Sequence, residues 1–321
     1  MMETQKPDIT VTLMVSGFSL LGGFSGDFLS DVAVLTSNVV ETYRLGFDVD
    51  PVMVAVDETE QQIIVGFDTG FAALFDFDLN LITETTSDLG RDSYTPIVTE
   101  NYYIISTDGT SSSARLVRYN KDLSGRINLQ TGVGEQIVHD DAGLSLPQGA
   151  SGVEKIDYDG STIWENTNYP ATLVAGRNGN VFTAQNGQPF RELSGADGSL
   201  VNEFSETVPG TPQIFKGMKD HFIFRYIDYL NVYDNNFNLV WQVPQSSSLR
   251  YAHFKENKDY FFFTKTSGGQ LDIYDKQNGE LVDQCYPTDT TNNDAIDSIE
   301  INHEFLYYGY SSRIGKNRNT L

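Results

Sequence analysis

Four histidines are the first residues in this sequence that could ligate a metal or act as a general base: His139, His221, His253 and His303. Imidazole is a common metal ligand, and its ordinary pKa lies close to neutral pH. The four histidines lie at different offsets from the neighbouring turn signals, and no His-x-x-x-His motif occurs. Their spacing therefore predicts separate polar positions rather than a ring of ligands.

Closely spaced acidic pairs are the second candidate, because hard cations such as Ca²⁺ bind several carboxylate oxygens. The pairs are Asp48/Asp50, Asp76/Asp78, Asp140/Asp141 and Asp157/Asp159. The best of them, Asp157-Tyr158-Asp159-Gly160-Ser161, lacks the acidic twelfth ligand of an EF-hand loop, since that position is Asn168. An aspartate in a turn ordinarily accepts hydrogen bonds from its own backbone, and we predict that role here.

Nucleophilic catalysis has little support in the sequence. The single cysteine, Cys285, has no histidine within fifteen residues on either side, so we interpret it as a small buried apolar residue. There is no Gly-x-Ser-x-Gly motif and no glycine-rich phosphate loop that opens a helix. We predict no catalytic residue, no metal ligand and no cofactor, and hence a protein that is not an enzyme.

The charge of the chain excludes several classes of partner. The 321 residues include Lys+Arg 21 and Asp+Glu 44, which gives a net charge of −23. Such a surface repels phosphate backbones and anionic membranes, so we expect no nucleic-acid partner. No run of 18 apolar residues occurs, so we expect no membrane insertion. Residues 1–8 carry a net negative charge, so we expect no cleaved signal peptide.

A repeat organises the rest of the chain. A short apolar strand followed by an aromatic or aliphatic residue and then Thr, Asp, Asn or Ser recurs seven times, at Thr36, Asp76, Asn120, Asp157, Ser194, Asp234 and Asp275. The spacings are 40, 44, 37, 37, 40 and 41 residues. A mean period near 40 is typical of a propeller blade with four strands.

The unit between residues 51 and 90 shows how such a blade would be built. Residues 52–57, 62–67, 71–76 and 81–86 are rich in β-branched and aromatic residues, and Gly, Asn and Asp lie between them. The unit that begins near Gly134 fits worst, because its second strand contains Pro147 and predicts an edge or a bulge. A β-sandwich or a pair of barrels is the alternative, but neither requires this period.

We therefore predict an all-β chain that forms a seven-bladed β-propeller of four-stranded blades, with the last blade closed by N- and C-terminal strands. In that blade, residues 297–302 and 304–310 would be the first two strands, and residues 28–36 and 39–45 the last two. The predicted organisation is an N-terminal arm over residues 1–27, the propeller over 28–312 and a basic C-terminal tail over 313–321. Closing the ring in this way removes exposed sheet edges.

The turns that precede the predicted fourth strands resemble those of the quinoprotein-type (PQQ-like, WD40-like) propeller repeats. The matching segments are Asp159-Gly160-Ser161-Thr162-Ile163-Trp164, Asp197-Gly198-Ser199-Leu200-Val201, Asn236-Phe237-Asn238-Leu239-Val240-Trp241 and Asn278-Gly279-Glu280-Leu281-Val282. The resemblance implies the fold over residues 28–312. It does not imply the family's enzyme activity, because the family's enzymes have eight blades and adjacent cysteines beside the quinone, whereas this chain has one cysteine.

The function predicted from the sequence is a non-catalytic binding or scaffold module in a larger assembly, a virion structural protein (tail, spike or head decoration) of a bacterial or archaeal virus. Its partners would be other proteins of the assembly, gripped by the arm and the basic tail, with a cell-surface glycan or receptor as a further candidate. The predicted location is a virion or an extracellular assembly, or alternatively the cytoplasm. Two alternatives stay open: a polysaccharide lyase or glycosidase at the channel mouth, and an interaction hub of a halophile.

Overall fold

The computed structural model describes residues 39–44, 51–67, 71–85, 96–107, 115–131, 137–211, 213–245, 251–265, 270–285, 298–301, 305–310 and 313–318. The regular elements in these ranges are 28 β-strands. They form seven sheets of four strands each, all antiparallel. Six of these sheets consist of four consecutive strands, and we call them blades 1 to 6.

The 28 strands follow one another along the chain, blade by blade. They are β1 (Val39–Arg44); blade 1, β2 (Pro51–Asp57), β3 (Gln62–Phe67), β4 (Ala72–Asp76) and β5 (Leu81–Glu84); blade 2, β6 (Ile97–Val98), β7 (Tyr102–Thr107), β8 (Arg115–Asn120) and β9 (Ile127–Thr131); blade 3, β10 (Val138–Asp140), β11 (Gly143–Pro147), β12 (Val153–Ile156) and β13 (Thr162–Asn166); blade 4, β14 (Leu173–Arg177), β15 (Asn180–Ala184), β16 (Pro189–Ser194) and β17 (Leu200–Thr207); blade 5, β18 (Ile214–Gly217), β19 (Phe222–Arg225), β20 (Tyr229–Tyr233) and β21 (Leu239–Pro244); blade 6, β22 (Tyr251–Glu256), β23 (Tyr260–Lys265), β24 (Leu271–Asp275) and β25 (Leu281–Cys285); and last β26 (Ser298–Ile301), β27 (Phe305–Tyr310) and β28 (Arg313–Arg318).

The first strands of the blades face one another around a central channel. Contacts join β2 to β6, β10 to β14, and β14 to β18. The fourth strands therefore form the outer circumference, as in a β-propeller. Strand β26 lies beside both β2 of blade 1 and β22 of blade 6, so the sheet β1-β28-β27-β26 closes the ring between the first and the last blade.

The prediction of a seven-bladed propeller is wrong in the count of blades. Six blades are built from consecutive strands, and in each the repeat position ends the third strand or directly follows it: Asp76, Asn120, Asp157, Ser194, Asp234 and Asp275. The seventh repeat position, Thr36, lies outside the described residues. The sheet that closes the ring is a composite of one N-terminal and three C-terminal strands, where the sequence analysis expected two from each end.

The pairing of residues 313–318 explains this correction. The sequence analysis places a basic tail from residue 313, but these residues form β28, which pairs with β27 on one side and with β1 on the other. A strand in the middle of a sheet satisfies its backbone hydrogen bonds on both edges, which a free tail does not. The predicted arm over residues 1–27 and the predicted strand over residues 28–36 lie outside the described residues.

Blade 3 is more regular than the sequence predicts. Pro147 is the last residue of β11 and pairs with Val153, so β11 still lies between β10 and β12. At the end of a strand the missing N–H of proline removes no ladder bond inside the sheet. The innermost strand, β10, has only three residues, and the pairing of β12 with β13 contains a bulge.

The middle strands of the blades form the core. In β3, Ile63, Ile64 and Val65 are fully buried, as are Phe261 and Phe263 in β23. A strand with an apolar run on both faces fits between two neighbouring blades, and burying one such side chain stabilises the fold by about 1.5–3 kcal/mol. The aromatic run over residues 260–263 contributes Phe261, Phe262 and Phe263 to this core.

The turns between the third and fourth strands have a common construction. In blade 5, Asp234 Oδ1 accepts hydrogen bonds from the amides of Asn236 and Asn238 at 2.8 and 2.9 Å. Asp76 and Asp157 accept the equivalent pairs of bonds in blades 1 and 3. The predicted role of these aspartates in shaping their own turns is confirmed.

Candidate functional site

The central channel contains a cavity of about 590 Å³. Its lining comes from the first strands of all six blades, with Ala55 on β2, Val98 on β6, His139 on β10, Arg177 on β14 and Lys216 on β18 among the contributors. Sites at the centre of a ring of blades draw side chains from distant parts of the chain. A cavity of this size is in the range of small-molecule sites, about 300–1,000 Å³.

Three of the residues that line this cavity are cationic: Arg177, Lys216 and Lys255. They lie in blades 4, 5 and 6 and are spaced 39 residues apart in the sequence. Asp140 is the acidic residue among the described lining residues. We call Arg177, Lys216 and Lys255 the cationic triplet. The chain as a whole carries −23, so an excess of cations over acids in this lining contrasts with the composition of the chain.

Arg177 has the most unusual surroundings of the three. Its guanidinium carbon lies 4.7 Å from the centre of the Phe222 ring and 5.9 Å from that of Phe182. Its Nε and Nη1 atoms are buried and have no hydrogen-bond partner among the described residues. Burial lowers the pKa of Arg177, although the nearby carboxylates of Asp220 and Glu192 act in the opposite direction. A buried guanidinium with unused donors is costly for the fold.

His253 on β22 lies among further positive charge. Burial lowers the pKa of His253 to about 3, and the neighbouring charges of Lys216, Lys255 and Arg225 add to this effect. A neutral imidazole is the favoured form in such a field. Lys216 Nζ also donates a hydrogen bond to the carbonyl of Phe254, at 3.1 Å, which holds the lysine against the first strand of blade 6.

His139 and Asp140 combine a base and an acid in the lining of the same cavity as Arg177. A lyase or glycosidase at the channel mouth, one of the two alternatives to a scaffold, would use a base and an acid of this kind. The carboxylate of Asp140 is engaged in structural contacts, however: Lys155 Nζ lies 2.5 Å from Oδ2, and Oδ1 accepts from the amides of Ala142 and Gly143. Burial lowers the pKa of His139.

A second polar cluster joins blades 1 and 2. Asp57, at the end of β2, accepts hydrogen bonds from Lys121 Nζ and from the hydroxyl of Tyr103, the latter at 2.8 Å. Burial alone would raise the pKa of Asp57, but the bonds from Lys121, the Glu60 amide and Tyr103 hold it below its ordinary value. All the groups of this cluster have partners, so it fastens two blades together and offers no open ligand position.

The outer circumference carries a repeated apolar position. In five blades the fourth strand has a β-bulge beside its first residue, and the unmatched residue is β-branched: Ile82, Ile163, Val201, Val240 and Val282. We call these five residues the apolar rim. Their exposed fractions lie between 38% and 54%. In blade 2 the equivalent residue, Leu129, packs against the core instead.

Bulges of this kind are known to interrupt the edge of a sheet, so that strands of another chain do not add to it. That role explains the backbone of the rim, but it does not explain the side chains. A polar residue at a bulge on an outer edge would serve equally well and would avoid exposing apolar surface to water.

Most residues that the sequence analysis considered do not come together. His221 lies in the turn before β19 and packs edge-on against Phe261 at 5.5 Å, while His253 is on β22 and His139 on β10. His303 and Asp48/Asp50 lie outside the described residues, as does Thr110-Ser111-Ser112-Ser113. No group of three or more His, Cys, Asp or Glu side chains that could hold a metal occurs in the described part of the chain.

The sequence analysis missed the cationic triplet and noticed the apolar rim only as part of the blade pattern. The spacing of 39 residues between Arg177, Lys216 and Lys255 is close to the blade period and is the signal that could have revealed the triplet. No helix that could span a bilayer is found among the residues for which the structure gives positions.

Comparison with known proteins supports the fold. No protein-family model matches the chain, and no curated protein matches it. Solved structures do match: a catalytically inactive virginiamycin B lyase from Staphylococcus aureus with quinupristin has a TM-score of 0.65 at 12% identity, over 87% of this chain and 99% of that chain. The WD40 β-propeller domain of Doa1 has a TM-score of 0.61 at 13% identity, over 85% and 94% of the two chains.

A computationally designed protein, Ika8, is also similar, with a TM-score of 0.58 at 9% identity, over 86% of this chain and 98% of that chain. These neighbours confirm the resemblance to WD40-like and PQQ-like propellers at the level of the fold. An enzyme, a WD40 domain and a designed protein share the architecture, so the architecture does not by itself specify a function.

Proposed function

We propose that this chain is a non-catalytic β-propeller that binds other proteins as a scaffold in a larger assembly. The observation that carries the proposal is the apolar rim. Single apolar residues on a surface are ordinary, but Ile82, Ile163, Val201, Val240 and Val282 occupy the same bulge in five of the six blades. We interpret this repeated, exposed apolar position as a surface that a partner covers.

The charges beside the rim indicate the chemistry of the partner. Glu84, Glu165 and Glu203 are exposed and each follows a rim residue by two positions. Residues two apart on a strand share a face, so an acidic side chain borders three of the five rim positions. A partner surface with apolar side chains surrounded by Lys and Arg would complement both features, and opposite charge would speed its association.

The setting that we propose is a virion of a bacterial or archaeal virus, with this chain as a tail, spike or head-decoration protein. A rigid ring with one contact repeated around its circumference suits particles that display many copies of one protein. Mass spectrometry of purified particles from the native source tests this setting, which requires the chain at a fixed copy number per particle. A chain found only outside particles would contradict it.

The role of the N-terminal arm is a separate proposal. A variant that lacks residues 1–27 should fold with the thermal stability of the full chain and should fail to join the assembly. Incorporation of this variant at the level of the full chain would show that the arm does not grip the partner.

Site-specific photo-crosslinking tests the rim itself. A photoreactive amino acid at Val201 or Val240, in chain produced in the native source, should crosslink the same partner protein from both positions. Asn128 is the matched control, since it is exposed on the outermost strand of blade 2, where the bulge residue is half-buried. Equal crosslinking from Asn128, or different proteins from Val201 and Val240, would contradict a defined contact at the rim.

A further inference from the structure

We propose that the channel cavity binds a small ligand that carries an oxyanion group, a carboxylate, phosphate or sulfate, with Arg177 as its main contact. This inference is independent of the rim, because it concerns the opposite edge of the blades. Its first support is charge. Arg177, Lys216 and Lys255 line one cavity, whereas the acid among the described lining residues, Asp140, is paired with Lys155.

The second support is the state of the Arg177 guanidinium. Phe222 and Phe182 lie beside it, at 4.7 and 5.9 Å from ring centre to guanidinium carbon. The aromatic rings favour the cation, but they accept no hydrogen bonds in the plane of its N–H groups. Nε and Nη1 are buried and find no acceptor among the described residues. A planar fork with unused donors is the group that binds carboxylate and phosphate oxygens in pairs.

The third support is the field from the neighbouring blades. Lys216 and Lys255 line the same cavity as Arg177, and both of them, with Arg225, act on His253 strongly enough to help lower its pKa. A concave site in which cations outnumber the acidic side chains concentrates small anions, although the carboxylates of Asp220 and Glu192 near Arg177 oppose this field. In an acidic protein such a site selects for anions that can pass the negative outer surface, which favours small ligands over polyanionic chains.

The remaining lining indicates what else the ligand carries. Val98, Val138, Val174 and Ile214 contribute apolar surface to the cavity. An oxyanion with an apolar group attached would use both parts of the lining, and a cavity of about 590 Å³ accommodates a molecule of that kind. Phenyl phosphate and benzoate combine the two features, while inorganic phosphate and sulfate carry only the charge.

Isothermal titration calorimetry at constant ionic strength tests the proposal with these four probes. We expect saturable binding of phenyl phosphate or benzoate at one site per chain. Arg177→Met should weaken that binding by about tenfold or more, since hydrogen bonds to a charged group would be lost, and Lys216→Met should weaken it less. Lys258→Met is the matched control: Lys258 is exposed in the turn of blade 6 that follows β22, and its loss should leave the affinity within about twofold.

Thermal unfolding without ligand separates a binding role of Arg177 from a structural one. A guanidinium held for a ligand should cost stability, so Arg177→Met should melt no lower than the wild type. Arg177→Lys restores the charge without the fork and should recover part of the affinity. The proposal is overturned if no probe binds saturably, if Arg177→Met binds like the wild type, or if Arg177→Met is destabilised and Lys216→Met retains full affinity.

Discussion

The inner and outer edges of the same blades expose different surfaces: cationic side chains at the inner edge and apolar side chains at the outer edge. At the inner edge, the first strands of blades 4, 5 and 6 present Arg177, Lys216 and Lys255 to one cavity. At the outer edge, the fourth strands of five blades expose Ile82, Ile163, Val201, Val240 and Val282. One repeated unit can therefore carry two separate surfaces, because its second and third strands form the core between them.

The aromatic core of blades 4 and 5 shows what the middle strands contribute. Phe237, in the turn before β21, is fully buried and stacks on Phe190 at 4.2 Å and on Phe222 at 4.5 Å. If the blade interiors supply the stability and the edges supply the binding, substitutions should sort by their distance from these interiors. We expect the largest effects in the blade interiors and smaller effects towards the turns and edges.

The largest expected effect is that of Phe237→Ala. Removing a buried aromatic ring from a packed cluster costs about 3–5 kcal/mol. Alanine at this position keeps the backbone strain of a side chain at φ 60, so the change reports the lost packing. Urea unfolding measures it, with Val240→Ala as the control that should change stability by no more than about 0.5 kcal/mol. A loss of similar size in both variants would break the contrast between interior and edge.

The next effect lies at the junction between blades 5 and 6. A Cβ on Gly279 would lie 2.5 Å from the Trp241 ring, whose Nε1 donates to the carbonyl of Lys276 at 3.2 Å. Gly279→Ala should lose about 1–3 kcal/mol from overpacking, in addition to the strain of a positive φ.

Gly210→Ala is the matched control for this junction. Its φ is +77, against +70 at Gly279, but no atom lies within 4 Å of the added Cβ. It should therefore show only the backbone strain, about 1–2 kcal/mol. Thermal and urea unfolding of both variants give the difference, and equal losses would show that the tryptophan does not lock the blades.

A smaller effect is expected in the turns. Asp234→Ala removes the acceptor for the amides of Asn236 and Asn238 and for the Asn238 side chain. Because the turn is exposed and water can replace these bonds, the loss should be about 1 kcal/mol. Urea unfolding measures this loss. Asp234→Asn keeps one acceptor oxygen, so its free energy of unfolding should lie between those of the wild type and Asp234→Ala. If Asp234→Ala lost more free energy of unfolding than Gly279→Ala, the turns would contribute more to stability than the contacts between blades.

The pH dependence tests the burial of His253 beside the cations of the inner edge, since burial is the largest cause of its lowered pKa. The pKa of His253 is about 3 in the fold, below the ordinary value near 6.5. The unfolded chain therefore takes up a proton between these values and the folded chain does not, so stability present above pH 6.5 is lost as the pH falls towards 3. Unfolding of His253→Gln should be less sensitive to pH between 7 and 5. An unchanged slope would show that the fold does not hold His253 in its neutral form.

The sequence predicted the blades well because strands and turns depend on neighbouring residues. The predicted strand over residues 62–67 matches β3, and six of the seven repeat positions fall at the ends of third strands. The terminal sheet was mistaken because pairing between β1 and β28 joins residues far apart in the chain. Local pattern cannot show that Arg313–Arg318 pairs on both edges rather than forming a tail.

The candidate sites were predictable only in part. The segments around Val201, Val240 and Val282 were noticed as repeat elements, but their exposure depends on bulges that leave one residue without a partner. Nothing in the sequence singles out Arg177, since its surroundings depend on Phe222 in the next blade and on the cavity. Such features arise from packing between blades, which the order of residues does not display.

The occupancy of the chain in its native assembly distinguishes the outer edge from the channel. Quantitative mass spectrometry determines it for three forms: the wild type, the double variant Val201→Asp/Val240→Asp, and Arg177→Met. All three should unfold at similar temperatures. We predict that the rim variant falls by about tenfold or more in occupancy, as expected when central contacts of an interface are lost, while Arg177→Met stays at the level of the wild type. A rim variant that assembles like the wild type would contradict the claim that the outer edge binds the partner.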